Sequence, residues 1–369
     1  MKCKGTVIMM TAVVLLVGLV GIVSGIRDSG DTDISFVPAN FTASRQIPHI
    51  AADTPHGQAS VAYIEILNDD FYNRFFFSYR EMYTAAWLIE VLLAMGYTWD
   101  DIEVQEFSLA DAESLTYMAL TSHIAYFIDS SPFVNFGMRN SRLSQNVILT
   151  VPGRSEKTII VGAHYDTVMF PGASDNASGT ALLLESAQRM LETDNYYTII
   201  YMFFGAEEGG LLGAHYYANS LSQTEHDNIL FMINADILLE GPDLFYMGGY
   251  DTNGRPGTNR ITETWDSIAT DMYVEHGITF HAWPDGVFGP SDHLAFLPWG
   301  HTAMFLVGYD AIDGWYDMDY MVVSWDMMRV LHSPQDNMAY INEAWPGKID
   351  ANMRAFSLFL EALLLAAYH

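Results

Sequence analysis

Acidic and imidazole side chains follow three apolar runs of the sequence, each of which is typical of a buried strand. His164 follows the run TIIVGA, and Asp236 follows FMINA. The adjacent acids Glu207 and Glu208 follow YMFFGA. In an open parallel sheet, ligands bind beyond the carboxyl ends of the strands. Groups gathered there could bind a metal ion or exchange protons, although any one of these acids could instead cap a helix or lie in a solvated loop.

Two further residues could contribute to the same edge of the sheet. Asp175 lies in PGASDNASGTA, just before a helix predicted to begin near Gly179, and it could cap that helix. Alternatively, a tight turn could hold its carboxylate in the crevice, where the two oxygens could bridge two cations. His332 lies in the turn of VLHSPQDN, but the chain has 12 histidines, so residue type alone does not select it.

Alternating strands and helices must position these residues. The predicted strands are VQEFSL, NVILTVP, TIIVGA, TIIYMFF, NILFMIN and TAMFLV. Helices are predicted over 80–96, 179–191, near 211, over 258–276 and over 349–368. Continuous apolar strands separated by helices favour a parallel sheet that is covered on both faces. We therefore predict an α/β fold, a single globular domain over 59–369 with a mostly parallel central sheet flanked by helices on both faces.

The composition limits the choice of partners. Half of the 369 residues are hydrophobic, and 16 basic against 45 acidic residues give a formal charge of −29. Nucleic acid is excluded as a partner because phosphate binding requires clustered cations. Cys3 is the one cysteine, so the body of the chain has neither a disulfide nor a thiolate metal site. The sequence implies no protein partner.

The N-terminus has the pattern of an export segment. Lys2 and Lys4 precede an uncharged, largely apolar stretch that extends to Gly25. This order is typical of a signal peptide, while about 20 apolar residues is also the length of a membrane-spanning helix. We expect residues 1–25 to be a cleaved signal peptide or a membrane anchor and 26–58 to be a polar linker. The remaining domain would then be extracellular, either anchored or secreted.

Five segments of the chain contain these candidate residues, in the order GAHYDTV, GASDNASGTA, GAEEGGLLGAHYYA, INADI and HSPQDN. They resemble the motifs of the double-zinc aminopeptidases, a family that includes the secreted bacterial leucine aminopeptidases and aminopeptidase Y. The resemblance covers roughly residues 75–365, and five motifs in the family's order make a specific signal. It implies a zinc exopeptidase-like fold.

The resemblance also implies a site for two zinc ions. His164 and Asp236 would hold one ion. Glu208 and His332 would hold the second, and Asp175 would bridge the two. All of these ligands are nitrogen or oxygen donors, which suits Zn²⁺ with open positions for water.

Two residues would act beside the ions. Asp166 would orient the imidazole of His164 through its second nitrogen. Glu207 would remain free as the general base for a water bridged by the two ions, and it would later pass the proton to the leaving amine. The implied function is a metal-dependent exopeptidase that removes N-terminal amino acids from peptides with a free N-terminus.

Three other functions remain open. A glutaminyl-peptide cyclase has a similar fold but uses a single zinc, whereas the complete ligand set is present here. A carboxypeptidase or dipeptidase could use the same hydrolytic machinery on a differently recognised peptide. A non-catalytic binding ectodomain would be expected to lack ligands. Leu331 occupies the position where some relatives have a tyrosine, so the oxyanion could instead be stabilised by Tyr309 or by a backbone amide.

Overall fold

A mixed sheet of eight strands forms the centre of the structure, a computed structural model that describes residues 48, 51, 54–108, 111, 143–248, 259–283, 290–310 and 327–368. The strands are β1 (Ile102–Ser108), β2 (Leu143–Val151), β3 (Ser155–His164), β4 (Tyr197–Phe204), β5 (Ile229–Ala235), β6 (Asp243–Gly248), β7 (Phe280–Trp283) and β8 (Ala303–Tyr309). Their order across the sheet is β1-β2-β4-β3-β5-β8-β6-β7.

The four central strands, β4, β3, β5 and β8, run parallel to one another. On one side β2 and β1 continue the sheet in antiparallel pairings. On the other side β6 is antiparallel to β8, and β7 is parallel to β6. The predicted α/β class is confirmed, and the predicted parallel sheet is its centre, extended by antiparallel pairings on both sides.

Helices cover the sheet. They are α1 (Gln58–Asp69), α2 (Tyr79–Met95), α3 (Gly179–Met190), α4 (Leu212–Ser220), α5 (Gln223–Asn228), α6 (Arg260–His276), α7 (Met327–Val330), α8 (Met338–Ala344) and α9 (Lys348–Leu365). A wide, irregular turn over Ala173–Ser178 leads into α3, and short 3₁₀ turns occupy Asp292–Ala295 and Leu297–Trp299. Connections between parallel strands must cross a face of the sheet, and helices supply that cover.

Side chains of β3 alternate between two apolar clusters on opposite faces of the sheet. Ile159 and Val161 belong to the larger cluster, which includes buried residues of α1, α2, α3 and α9. Ile160 belongs to a smaller cluster beneath α4. Because successive strand residues point to opposite faces, a strand covered on both faces must be apolar throughout. Each fully buried large apolar side chain contributes about 1.5–3 kcal/mol to folding.

The bounds of α2 follow from its sequence. The hydroxyl of Ser78 accepts a hydrogen bond from the amide of Glu81 at 3.2 Å, which caps the first turn. Gly96 ends the helix with φ 117°, a conformation that favours glycine. The apolar face between these positions packs into the larger cluster. The predicted helix over 80–96 therefore agrees closely with α2.

Three adjacent strands end at the same edge of the sheet, because β3 lies between β4 and β5 and all three are parallel. β3 ends at His164, β4 ends three residues before Glu207, and β5 ends immediately before Asp236. The sheet therefore gathers the predicted imidazole and carboxylates at one edge.

The predicted export segment, residues 1–25, lies outside the described residues, as does most of the predicted linker, 26–58. Within the described ranges, none of the helices combines the length and the hydropathy that a membrane crossing requires. The division into segments at 25 and 58 stays a prediction.

Candidate metal centre

Three side chains from different segments converge on the first of two ligand groups. Nε2 of His164 lies 3.1 Å from Oδ1 of Asp175 and 3.4 Å from Oδ1 of Asp236. All three residues are buried. Their donor atoms are close enough together to bind a single ion.

The second ligand group shares Asp175 with the first. Nε2 of His332 lies 3.1 Å from Oδ2 of Asp175 and 3.2 Å from Oε2 of Glu208. The two oxygens of one carboxylate thus face different groups, as a residue bridging two cations requires. His332 has φ 53°, a left-handed conformation that costs a non-glycine residue about 1–2 kcal/mol. Such strain is often concentrated at functional sites.

The electrostatics of the two groups fit a bound cation. Within the described ranges, the buried atoms without a hydrogen-bond partner include Nε2 of His164, Oδ1 of Asp236 and Oε1 of Glu208. Burial raises the pKa of Asp236 and of Glu208, and nearby Asp175 raises both further. Buried, unpartnered anions are costly unless a cation compensates them. Nitrogen and oxygen donors are the ligands of zinc in catalytic sites, so the residues present fit this metal.

The histidines respond to the same excess of negative charge. Burial alone lowers the pKa of His164, but the neighbouring carboxylates, first among them that of Glu207, raise it well above the usual value. The pKa of His332 is raised in the same way, chiefly by Glu208. The same carboxylates that could bind a cation therefore also favour the charged form of both imidazoles.

Glu207 lies at the edge of the first group but belongs to neither group. Its Oε2 is 3.9 Å from Nε2 of His164, and the residue is only 9% exposed. Burial raises the pKa of Glu207 well above its usual value, and the charges of Glu208 and Asp292 raise it further. The adjacent acids thus have different surroundings, because Glu208 belongs to the second ligand group and Glu207 lies beside the first.

Three successive backbone amides, those of residues 206–208, donate hydrogen bonds that hold the turn carrying both acids. The amide of Ala206 donates to Oε1 of the buried Glu81 at 2.9 Å. The amides of Glu207 and Glu208 donate to the two carboxylate oxygens of Asp166, at 3.0 and 3.1 Å. Ala206 itself has φ 53°. Two buried carboxylates from distant parts of the chain therefore fix the backbone from which both acids project.

Asp166 was predicted to orient His164, and it lies beside that imidazole. Nδ1 of His164 is 3.3 Å from the backbone oxygen of Asp166 and 3.6 Å from its nearest carboxylate oxygen, which is beyond hydrogen-bonding distance. The backbone oxygen is thus the nearer partner of the ring. The carboxylate supports the turn at Glu207 and Glu208 instead.

Asp336 supports the backbone of the shared ligand, a role that the sequence analysis does not assign. Its carboxylate accepts hydrogen bonds from the amides of Ser174 and Asp175, at 2.7 and 3.0 Å. Burial raises the pKa of Asp336 to about 7, and the charge of Asp175 contributes. Asp336 follows His332 by four residues, in HSPQD. One segment therefore provides the candidate ligand His332 and also fixes the backbone of the candidate ligand Asp175.

Tyr309 and Leu331, which were considered for the oxyanion, and the buried His293 all pack against aromatic or apolar side chains. His293 is buried and stacks on Phe305 with ring centroids 4.9 Å apart, and burial lowers its pKa to about 3. Tyr309 is buried and packs edge-on against Phe245, and Leu331 lies against the same cluster. These contacts are those of packed core residues.

Residues 146–357, more than half of the chain, match the sequence profile of peptidase family M28. The chain belongs to peptidase family M28. The matched segment contains every residue of the two ligand groups. The family predicted from the order of the motifs is therefore confirmed.

Curated relatives of this M28 chain include two aminopeptidases. Aminopeptidase YwaD of Bacillus subtilis (strain 168) is 29% identical over 214 residues, which are 55% of this chain and 42% of the relative. Leucine aminopeptidase 1 of Paracoccidioides brasiliensis (strain Pb03) is 32% identical over 223 residues, which are 54% of this chain and 55% of the relative. The alignments thus span about half the length of these relatives.

Solved structures show the same fold as this M28 chain. BSAP, a zinc aminopeptidase from Bacillus subtilis, superposes with a TM-score of 0.61 at 16% identity, covering 88% of this chain and 97% of BSAP. A glutaminyl cyclase of Bacteroides thetaiotaomicron bound to N-acetylhistamine superposes with a TM-score of 0.59 at 19% identity, covering 87% of this chain and all (100%) of the cyclase. At such identities the similarity concerns the fold alone.

Proposed function

We propose that this M28 protein is a zinc-dependent exopeptidase that removes N-terminal amino acids from peptides. The observation that carries this proposal is the position of Asp175, whose two carboxylate oxygens face two separate ligand groups. A site for a single ion does not require a carboxylate whose two oxygens face different ligand groups. Membership of family M28 and the aminopeptidase relatives support the same activity.

Five residues would hold two zinc ions. His164 and Asp236 would hold the first, Glu208 and His332 would hold the second, and Asp175 would be shared. When bound, zinc would polarise the substrate carbonyl and lower the pKa of a water molecule. Such cations would in turn favour the ionised form of the carboxylates that hold them.

Glu207 is the proposed general base. Its carboxylate lies 3.9 Å from the ring of His164, so it borders the ligand groups without joining them. Its oxygens would take a proton from the attacking water and return it to the departing amine. Asp166 and Glu81 would keep this carboxylate in place through the amides at positions 206–208.

A peptide panel tests the activity. Pairs of peptides that differ only in whether the N-terminus is free or acetylated would be incubated with the purified protein, with and without a chelator. We expect free amino acids from the unblocked peptides alone, loss of this release with the chelator, and recovery when zinc is added. Elemental analysis should find two zinc ions per chain. Hydrolysis of the acetylated peptides, or full activity in the chelator, would contradict the proposal.

A glutaminyl-peptide cyclase is the second candidate, and the structural similarity to such a cyclase favours testing it. A peptide with N-terminal glutamine distinguishes the two activities. A peptidase releases glutamine and shortens the peptide, whereas a cyclase lowers the peptide mass by the loss of ammonia. Release of the C-terminal residue from acetylated peptides would instead indicate a carboxypeptidase. A purified protein that binds no zinc and hydrolyses no peptide would indicate a binding ectodomain.

We also propose that residues 1–25 direct export of the protein. The basic residues followed by an uncharged, largely apolar stretch support this proposal. Expression with and without this segment, followed by fractionation of membrane, medium and cytoplasm, tests it. Equal distribution of the two forms would contradict it.

A further inference from the structure

We propose that Arg74 is a positioning residue for the first ligand group, because its guanidinium fixes the backbone next to His164 and the turn that precedes Asp175. This inference rests on the proposed zinc site. The hydrogen bonds of the Arg74 side chain go to backbone oxygens, so this residue would act through the chain segments that carry the ligands.

The guanidinium binds both ligand-bearing segments directly. Its Nε donates to the backbone oxygen of Tyr165 at 2.7 Å, one residue after His164. Its Nη1 donates to the backbone oxygen of Pro171 at 2.8 Å, and Nη2 donates to that of Gly172 at 3.1 Å. One planar group therefore sets the separation between the end of β3 and the turn that leads to Asp175.

The same side chain connects these segments to α1. Nη1 also lies 3.1 Å from the backbone oxygen of Leu67 and 3.2 Å from that of Phe71, at the C-terminal end of this helix. Carbonyl groups there have no partner within the helix and carry partial negative charge. A cation at this end is stabilised, and the helix gives the guanidinium a rigid support.

The contacts of Arg74 are unusual for a buried cation. Its side chain is fully buried, and its five hydrogen bonds all go to backbone oxygens. Burial lowers its pKa to about 10, so it remains charged at neutral pH. The negative charge of Asp336, followed by those of Asp166 and Asp175, favours the charged form of this guanidinium. Arg74 thus offsets negative charge while its donors hold backbone.

The surrounding backbone leaves little freedom for this arrangement. The backbone oxygen of Arg74 accepts a hydrogen bond from the amide of Thr167 at 3.2 Å, and Phe75 forms a β-bridge with Thr167. Gly172 has φ 59°, and a Cβ at this position would lie 2.4 Å from the backbone oxygen of Asp175 and 3.2 Å from Nη2 of Arg74. A shift of the guanidinium would therefore displace the turn before Asp175.

Arg74→Lys tests the hydrogen-bonding geometry of the guanidinium separately from its positive charge. Lysine keeps the positive charge, but its ammonium is a single point with three donors and cannot reach five oxygens that belong to three segments. The matched control is Arg189→Lys. Arg189 donates to Glu185 at 2.8 Å and to the backbone oxygen of Thr54 at 3.1 Å, so its hydrogen bonds go to neither ligand-bearing segment.

The stepwise zinc dissociation constants of the wild type and both variants can be measured by competition with a chromophoric chelator. Thermal unfolding of the metal-free proteins gives the stability of each variant. For Arg74→Lys we expect the affinity of one zinc ion to fall at least tenfold and that of the second to fall less, because the contacts are next to His164 and Asp175. For Arg189→Lys we expect wild-type zinc affinities and a decrease in melting temperature comparable to that of Arg74→Lys.

Wild-type affinities in Arg74→Lys, or an equal loss of affinity in Arg189→Lys, would overturn the inference. Failure of Arg74→Lys to fold even with excess zinc would also overturn it, because Arg74 would then serve the fold in general. A wild-type protein that binds no zinc would refute the proposed function itself, whereas two ions in the wild type and unchanged binding in the variant refute the inference alone.

Discussion

Glu207→Gln tests the different roles assigned to the two adjacent acids. Glutamine has nearly the same shape as glutamate, and Glu207 belongs to neither ligand group, so the variant should keep two zinc ions. Its amide cannot accept a proton where the carboxylate would take one. We therefore expect turnover to be lost while the fold and the metal content are preserved.

The size of the effect on turnover follows from the role. A positioned general base typically contributes 10²- to 10⁴-fold in rate. The value of kcat should fall by about this factor, which corresponds to about 2.7–5.4 kcal/mol in the activation barrier at about 1.36 kcal/mol for each tenfold change. KM should change little, because Glu207 is assigned to the chemical step and not to substrate binding.

The structure predicts an effect on stability as well. The pKa of Glu207 in the folded protein lies well above its usual value of 4.5, mainly because of burial. Ionisation therefore destabilises the metal-free fold once the pH rises above this usual value. Glu207→Gln removes that cost, so the metal-free variant should melt at a higher temperature than the wild type at pH 7 and at a similar temperature near pH 4.

Three measurements distinguish this interpretation from a simple loss of the site. They are kcat and KM with an unblocked peptide, zinc content by elemental analysis, and melting temperature of the metal-free protein at both pH values. Glu208→Gln is the matched control, because it removes the neighbouring charge but also a ligand of the second group, and it should lose one ion. A near-normal kcat in Glu207→Gln, or the loss of an ion from it, would refute the assigned roles.

Four further predictions concern the metal centre and the fold. Asp175→Asn should weaken the binding of both zinc ions, because the two carboxylate oxygens of Asp175 face different ligand groups. A zinc titration in which one site keeps its wild-type affinity would contradict this. Removal of zinc should lower the melting temperature at pH 7, because the acids of the centre then repel one another, and added zinc should restore it. Nε2 of His301 lies 2.8 Å from Nδ1 of His226, and burial lowers the pKa of His301 to about 4. As the pH falls below 6.5, His301 is therefore protonated in the unfolded chain before it is protonated in the folded protein. The free energy of unfolding should decrease between pH 6.5 and 4, and His301→Phe should flatten this part of a urea-midpoint profile. Glu185→Gln should lower the free energy of unfolding at pH 7 by about 2–4 kcal/mol, because this buried carboxylate pairs with Arg189 and accepts hydrogen bonds from Ser60, and an unchanged urea midpoint would count against it.

Long hydrophobic patterns were sufficient to predict most of the elements. The apolar runs of β3, β4 and β5 and the helical spacing of α2 and α9 are local signals, and the structure agrees with them. β6 and β7 were not assigned, because such short apolar runs do not distinguish a strand from a helix. α1 was also not assigned, although Ala59, Tyr63 and Leu67 have the spacing of a buried helical face.

Residues that support the centre are less evident in the sequence. Glu81 accepts a hydrogen bond from the amide of Ala206, and Asp336 accepts one from the amide of Asp175. Arg74 donates to backbone oxygens. Backbone groups are the same at every position, so no residue pattern indicates which amide or carbonyl a distant side chain will bind. Asp336 is the exception, because it lies in the same motif, HSPQDN, as the candidate ligand His332.

By itself, the sequence determined the chemistry at the strand ends and the order of the five M28 motifs, because side-chain type and hydrophobic pattern are properties of residues close together in the chain. Only the tertiary structure decided that His332, selected from 12 histidines, lies 3.1 Å from Asp175. It also decided that Asp166 binds the amides of Glu207 and Glu208 with its carboxylate. Convergence of distant segments depends on how the whole core packs, and no short stretch of residues encodes that.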